Sequence, residues 1–242
     1  MSTDYISLQG EMLLAKRVND VAGAYRSVGN ASKLSLKVTT EKTEHTESKT
    51  GQRSTDRILY KKTGVEISGD IEEVNKENLA FIMSGENIEI AANKITDQVL
   101  GSVKSGEIIN LGSRNLSNVV FKDDKDTTIG TDQYVLDAVY GTVTFSKDID
   151  SVKWSGDAGA RTRTVVANRV GKDEYSMLFK GVDTASSQRF VVELWRIQFS
   201  PETEFDLINE DFGSYSISGN TLSDISKGTD AQLGLYGTIE RF

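Results

Sequence analysis

The chain has 242 residues, and its 28 Lys and Arg against 36 Asp and Glu give a formal net charge of −8. It has no cysteine and a single histidine, His45, which excludes disulfide scaffolds, thiol nucleophiles and metal sites built from Cys or several His. A Ser/His/Asp catalytic triad could form only with His45 as its histidine. The acidic balance argues against a broad surface that neutralises phosphate groups.

The length fits one all-β domain, since such domains commonly reach about 200–250 residues. We expect a single domain over residues 1–242, with residues 94–148 as a candidate β-rich insertion. No apolar run approaches the roughly 18 residues of a membrane span, and no signal peptide is visible at the N-terminus. We therefore expect a soluble protein made in the cytoplasm, with no direct membrane binding.

Apolar and polar residues alternate along several segments, which predicts strands with one buried and one exposed face. Between residues 189 and 200 the apolar parity changes, which predicts either a bulge near Leu194 or burial on both faces. Further strand candidates are 99–103, 107–111, 118–121, 133–140 and 141–145, with a hairpin loop at 122–132. The alternating apolar residues are Leu34, Leu36 and Val38; Val65, Ile67 and Ile71; and Tyr175, Met177 and Phe179.

The segment 74–85 breaks this alternation and predicts one amphipathic helix of about ten residues. Asn75 is a suitable N-cap, and Gly85 a suitable stop at the C-terminal end. Leu79, Ile82 and Met83 have the spacing of a buried helical stripe.

The segment 39–57 is almost wholly polar, with balanced charge, and we expect strands at its flanks and a long connection around Gly51. Two interpretations stay open at this point: a mobile surface loop, or a loop ordered by a neighbouring subunit. The charged residues that would serve the second interpretation are Glu44, Glu47, Lys49, Arg53 and Asp56.

The polar positions of the alternating strands lie opposite the expected core, with six acids and two bases and a net charge of −4. They form either an ordinary solvated sheet face or the lining of a passage. No nucleophile elbow or phosphate loop is present, and the acidic stretch at 123–132 lacks EF-hand spacing, so we predict no catalytic, cofactor or metal site. The eight polar residues are Lys37, Glu41, Glu66, Asp70, Glu72, Glu174, Arg189 and Glu193.

Five segments, in their order and spacing, resemble the tail tube (major tail) proteins of long-tailed bacteriophages. Residues 28–36 resemble the start of that family's first long hairpin, and 41–53 its hydrophilic connection. Residues 65–85 are similar to the returning strand and the helix. The stretch DQYVLDAVYGTVTF at 132–145 resembles the pattern of Tyr, Val, Asp, a turn Gly and a β-branched strand. Residues 194–219 are similar to the last long strand, the Pro-containing turn and the closing hairpin.

The resemblance implies a β-sandwich or barrel with one flanking α-helix and two long hairpins, over 33–71 and 172–200. In the family, six subunits join such hairpins into a ring with a β-barrel lumen, and rings stack into a hollow tube. A tape-measure protein fills the tube first, and DNA passes through it during injection as cargo, not as a specific ligand. The resemblance implies no enzymatic role and no cofactor. The further partners are tail terminator and tail-tip or baseplate proteins, and the location is the virion tail, assembled in the host cytoplasm.

Under this resemblance the eight polar residues would face the lumen, and the charged residues of 44–56 would pair across subunits. An acidic lumen repels phosphates, so DNA would slide through it. Two alternatives stay open: the inner tube of a contractile secretion or tailocin-like machine, and a carbohydrate-binding β-sandwich module. An enzyme is the weakest alternative.

Overall fold

The computed structural model describes residues 5–200 and 204–242. In these residues the chain is mainly β, with 55% of positions in strands and two α-helices, which confirms the general fold class. None of the helices in the described part is long and apolar enough to cross a membrane. The elements in chain order are β1 (Leu8–Val18), β2 (Val21–Ala22), β3 (Arg26–Ser27), β4 (Ala31–Thr46), β5 (Thr55–Ile71), α1 (Lys76–Ile82), β6 (Glu86–Ile90), β7 (Asn93–Val103), β8 (Ile108–Asn110), β9 (Leu116–Lys122), a 3-10 turn (Thr131–Gln133), β10 (Tyr134–Asp137), β11 (Thr142–Phe145), β12 (Ile149–Ala158), β13 (Arg161–Val165), β14 (Tyr175–Asp183), β15 (Arg189–Phe199), β16 (Tyr215–Thr221), α2 (Ile225–Gly228) and β17 (Gly237–Arg241).

The chain folds as two compact units, and the second is inserted into the sequence of the first. The first unit takes the residues up to Glu86 and from Thr164 onward, and the second takes Asn87–Arg163. The candidate insertion over 94–148 lies inside the second unit. The unit extends past residue 148 because β12 pairs along its length with β7.

A large antiparallel sheet organises the first unit. Its strands follow the order β2-β1-β14-β15-β16-β5-β4, with β3 also paired to β1 and β17 to β15. β4 with β5, and β14 with β15, form long antiparallel hairpins where the resemblance implied two. The sheet does not close into a barrel. Within the chain, β4 is therefore an edge strand of 16 residues.

One face of this sheet forms the core of the first unit. A cluster of buried aliphatic side chains on this face supplies most of the driving force for folding of the unit. Burying one such side chain contributes roughly 1.5–3 kcal/mol to stability. The predicted alternation is confirmed for Ile67, Ile71 and Met177, which are buried. The cluster consists of Met12, Leu14, Val28, Ile67, Ile71, Met177, Val192, Leu194, Ile197 and Ile217.

A bulge in β15 explains its change of parity. Met177 of β14 pairs with Leu194, but Tyr175, two residues earlier, pairs with Ile197, so β15 contains one extra residue between them. The extra residue turns both Leu194 and Ile197 toward the core. The predicted bulge near Leu194 is therefore confirmed.

Helix α1 forms where the sequence predicts it, but it is shorter and buries different residues. Its N-cap is Asn75, whose side chain accepts a hydrogen bond from the backbone of Asn78, as predicted. The residue with a left-handed backbone after the helix is Ser84, with φ 45°, and not Gly85. Gly85 is needed instead for close approach, because a Cβ there would lie 2.4 Å from the carbonyl oxygen of Val165.

The buried face of α1 is polar at its centre. Asn78 is fully buried, whereas the predicted stripe residue Leu79 is only half-buried. The Asn78 amide nitrogen donates to the carbonyl oxygens of Val28, at 2.7 Å, and Glu73, at 2.8 Å. Its amide oxygen accepts from the guanidinium of Arg26 at 2.6 Å. The helix is thus fastened by three hydrogen bonds of one side chain, in addition to apolar packing.

The second unit has its own core and contains two three-stranded sheets, β10-β11-β8 and β7-β12-β9. Trp154 is fully buried at its centre. Phe121 packs edge-on against Tyr134 and Phe145, with ring centroids 4.7 and 5.3 Å apart, a favourable arrangement for aromatic pairs.

One prediction in this unit is wrong in detail. The strand predicted over 133–140 stops at Asp137, because the carboxylate of Asp137 accepts hydrogen bonds from the backbones of Val139 and Tyr140 and forms a turn. The hairpin loop predicted over 122–132 is confirmed for its first part, because Lys122 pairs with Thr128 in an antiparallel bridge and Ile129 donates to the carbonyl oxygen of Phe121 at 2.9 Å.

Candidate assembly surfaces

The sheet of the first unit has a polar face, which we define as the side of β4, β5 and β16 opposite the core. Since Ile67 and Ile71 point to the core, their neighbours Glu66 and Asp70 point away from it. On this face, residues of neighbouring strands lie directly opposite one another. Glu66 of β5 lies between Lys37 of β4 and Asn220 of β16. The predicted residues Lys37, Glu41, Glu66 and Asp70 all lie on the polar face.

Opposite charges face each other across the polar face. Lys37 Nζ lies 3.4 Å from a carboxylate oxygen of Glu66, and both side chains are exposed. Glu41 lies opposite Lys62, and Asp70 opposite Lys33. The eight polar residues have a net charge of −4, but that count omits Lys62 and Lys33. The sequence alone does not show that these lysines face Glu41 and Asp70, because their positions depend on the strand register. The surface is therefore closer to neutral than predicted.

Glu174 lies on the same side of the sheet, but it is held in a half-buried ion pair. The guanidinium of Arg196 donates to both of its carboxylate oxygens, at 3.0 and 2.8 Å. This contact is the main reason why the pKa of Glu174 is lowered. Arg196 also donates to the carbonyl oxygen of Ser223, at 3.1 Å, so the ion pair is covered by the segment that leads into α2.

A second ion pair under this segment is buried more deeply. Arg17 of β1 donates to the carbonyl oxygen of Trp195, at 2.7 Å, and to Asp224, at 3.2 Å. Asp224 also accepts from Ser226 and caps α2. The hydrogen bond from Ser226 and the nearby guanidinium of Arg17 lower the pKa of Asp224. No pattern in the sequence indicates Arg17, and Asp224 is indicated only by the Asp-x-Ser cap motif at residues 224–226.

Of the remaining three predicted polar residues, Glu72 and Arg189 lie at strand ends. Glu193 lies within β15, opposite Thr238 of β17. Glu72 directly follows β5, and its carboxylate accepts from the side chain of Asn30. Arg189 is exposed at the start of β15, where its backbone pairs with Phe242. Glu193 is half-buried, and its charge adds to burial in raising the pKa of Tyr25. That these residues line a lumen stays a prediction.

The turn of the β4–β5 hairpin is shorter than the sequence suggested. β4 runs to Thr46 and β5 begins at Thr55, so the connection spans only 47–54. Glu47 organises it, because its carboxylate accepts from the backbones of Lys49 and Thr50, at 2.8 and 3.0 Å.

Glu47 is one of the five charged residues predicted to pair across subunits. The other four, Glu44, Lys49, Arg53 and Asp56, are exposed, and two of them have partners within the chain. Glu44 lies 2.7 Å from Lys42, and Asp56 lies 2.6 Å from His45. Arg53 has a left-handed backbone, with φ 51°, in the turn. Pairing of Glu44, Glu47, Lys49, Arg53 and Asp56 across subunits stays a prediction.

After the core has ended, the core-facing side of the same hairpin carries exposed apolar residues among polar ones, with Thr40, Lys42 and Glu44 of β4 on that side. From Leu34, which packs against the core, it continues to Val38, which is 71% exposed. At Lys61, β5 contains one extra residue relative to β4. This bulge places Tyr60 and Ile58 on the same side of the hairpin as Val38. Tyr60 is 63% exposed. The sequence predicted Val38 to be buried, which is wrong within the single chain because no other element of the described residues covers this side.

Within residues 5–200 and 204–242, no three His, Asp or Glu side chains come together as metal ligands do. The surfaces described above offer strand pairing, charge pairing and apolar contact.

A search of curated proteins found no match to the chain. A family profile, described as protein of unknown function UCP028589, matches residues 5–240. Because this match extends over nearly the whole chain, the protein belongs to the family described as protein of unknown function UCP028589.

Proposed function

We propose that this protein is the structural subunit of a phage tail tube, in which hexameric rings stack into a hollow tube that conducts DNA during injection. The observation that carries the proposal is the β4–β5 hairpin, which extends past the core and leaves Val38, Ile58 and Tyr60 of its core-facing side exposed among polar residues. A two-stranded ribbon is only marginally stable alone, so a hairpin of this length gains from cover by a neighbour.

The edge of the sheet supports the same proposal. β4 is a terminal strand of 16 residues, and no strand of the described residues pairs with its outer side. Such an edge pairs readily with other chains, and closure into a ring removes it. At the opposite edge, the outer side of β1 pairs only with the two-residue strands β2 and β3, so the two edges differ. Contacts between unlike surfaces close into rings when the rotation permits, and they stack into filaments when it does not.

The polar face is suited to line the passage. Its lysines lie opposite carboxylates, as Lys37 does with Glu66, so few cations are free to hold phosphate groups. Binding to DNA by release of counterions needs such free cations, and without them DNA slides.

The proposed partners are other copies, the tape-measure protein that fills the tube before DNA, and the terminator and tail-tip or baseplate proteins at its ends. The proposed location is the virion tail, assembled in the host cytoplasm, and the role is structural, without catalysis or a cofactor. The tube of a contractile machine uses the same surfaces. The tryptophans do not favour a carbohydrate-binding module, because Trp154 is buried and Lys227 lies over the ring of Trp195.

Negative-stain microscopy of the purified protein at rising concentration tests the proposal. We expect hollow rings or tubes for the wild type, and loss of both for Val38→Lys. Val135→Lys is the matched control, because Val135 is a similarly exposed strand valine in the second unit. Monodisperse particles of the wild type at every concentration would contradict the proposal, and so would equal effects of the two substitutions.

A further inference from the structure

The loop between β15 and β16 exposes three large apolar side chains. Leu207, Ile208 and Phe212 are 86%, 95% and 104% exposed. The loop is anchored at its base, since the ring of Phe205 stacks on Tyr215 with centroids 4.9 Å apart. Single exposed apolar residues are common on protein surfaces, but three on one anchored loop favour an interaction site. We call residues 204–212 the apolar loop.

The first unit also contains an apolar cleft of about 810 Å³, which is partly open to solvent. Five strands contribute to its wall, which we call the β1/β4 cleft. Its volume is in the range of sites that take several side chains or a small ligand. The lining residues that matter here are Leu8, Met12, Leu36, Phe179, Phe190 and Ile239.

The apolar loop and the β1/β4 cleft have opposite charges around their apolar parts. Residues 204–212 contain four acids, Glu204, Asp206, Glu210 and Asp211, and no Lys or Arg. The one charged residue that lines the cleft among the described residues is Lys33, but it lies opposite Asp70 and so on the polar face. The positive charge at the cleft is that of Arg241, which lies over the ring of the lining residue Phe190, 5.7 Å from its centroid.

We propose that the apolar loop of one copy docks into the β1/β4 cleft of the next copy. Within the described residues the cleft is partly open, and no residue of the apolar loop lines it. Two complementary surfaces at different places on one chain produce a contact between unlike surfaces, which can repeat from copy to copy. This inference rests on the proposed self-assembly, and it assigns one specific contact within it.

The chain lacks cysteine, so single cysteines can report the contact directly. Full-length Phe212→Cys with one tag and Ile239→Cys with a second tag are mixed under assembly conditions and oxidised. We expect a disulfide-linked heterodimer of the two tagged chains. The matched control mixes Phe212→Cys with Val135→Cys, whose site is also well exposed, and should lose that species. A second variant, Phe212→Asp, should form fewer assemblies than the wild type at an unchanged melting temperature, since this side chain has no cover in the monomer.

The outcomes separate the inference from the proposed function. Tubes that form without the cross-link would overturn the docking contact and leave the tube proposal in place. A cross-linked heterodimer without tubes would support the contact and count against the tube. Neither tubes nor cross-link would contradict both. In a double variant with both cysteines, a disulfide formed within single chains at high dilution would show that the loop closes on its own cleft, which also overturns the inference.

Discussion

The guanidinium of Arg17 lies 3.2 Å from the carboxylate of Asp224, although 207 positions separate the two residues in sequence. Both side chains are buried, and Arg17 also donates to the backbone of Trp195. The contact ties the short helix α2 to β1 and β15. Because a buried charge without its partner is costly, the loss of one member should matter more than the net contribution of the pair.

Arg17→Met should therefore lower the free energy of unfolding by about 3–5 kcal/mol, measured by urea denaturation at pH 7. The double variant with Asp224→Asn should lose little more, since no unpaired charge is left behind. The control is Lys42→Met, which removes an exposed ion pair with Glu44 and should cost less than about 1 kcal/mol. Equal losses for Arg17→Met and Lys42→Met would show that the pair is not the anchor described.

The Glu174–Arg196 ion pair predicts a dependence of stability on pH. The pKa of Glu174 in the folded protein is lowered below its unfolded value, chiefly by Arg196. Its stabilisation is therefore complete above the unfolded value, about 4.3, and is lost as the pH falls through the lower folded value. The difference in unfolding free energy between wild type and Glu174→Gln should be largest near pH 7 and shrink below about pH 4.

Urea denaturation at several pH values checks this difference. The control Asp124→Asn removes an exposed carboxylate for which the described residues show no ion pair, and it should cost less than about 0.5 kcal/mol at pH 7. A Glu174→Gln difference that grows toward acid would contradict the sign of the effect.

Asn78 should be among the residues of the first unit that are most sensitive to substitution. Asn78→Ala removes the donor to Val28 and Glu73 and the acceptor for Arg26, and it leaves the carbonyl oxygen of Val28 without this partner in a buried place. We expect a loss of about 2–3 kcal/mol in unfolding free energy. Asn75→Ala, which removes only the cap, should cost about 1 kcal/mol. A reversed order of these two losses would show that the cap, and not the buried amide, holds the helix.

Local patterns in the sequence predicted the strands and helix α1. The features that could not be predicted are the partners of charged residues, which depend on pairing between distant parts of the chain. The alternation around Ile67 and the cap at Asn75 are local signals, and both predictions are confirmed. The partners of charged residues are different. Lys62 faces Glu41 only because of the register of the hairpin, and Arg17 meets Asp224 only through the fold. A single sequence contains neither relationship, so the surface charge and the buried ion pair could not be predicted.

The outer half of the β4–β5 hairpin should change its dynamics on assembly. Backbone amides in residues 39–63 belong to a ribbon with exposed side chains on both faces, so in the monomer they should exchange with solvent quickly. If the proposal holds, a neighbouring copy covers the same residues in tubes, and exchange should slow. Hydrogen exchange followed by mass spectrometry compares the two states, with β12 of the second unit as the internal reference. Equal protection of the hairpin in both states would contradict its role in assembly.

The polar face can be located in assembled tubes by changing its charge. Asp70→Lys with Glu72→Lys adds cations at the end of β5, and each ring would repeat them sixfold if the proposal holds. Binding of DNA to added cations strengthens steeply as salt is lowered. A short linear duplex can enter a tube, whereas a closed circular plasmid cannot thread through it. If the polar face lines the lumen, tubes of this variant should retain the duplex at low salt and leave the plasmid free.

Glu107→Lys with Asp132→Lys is the matched control, because it makes the same change in charge at exposed positions of the second unit. Its tubes should discriminate less between the two DNA forms. If tubes of the Asp70 and Glu72 variant bound the plasmid as well as the duplex, the polar face would lie on the outer wall. The lumen would then have to be lined by another surface of the first unit.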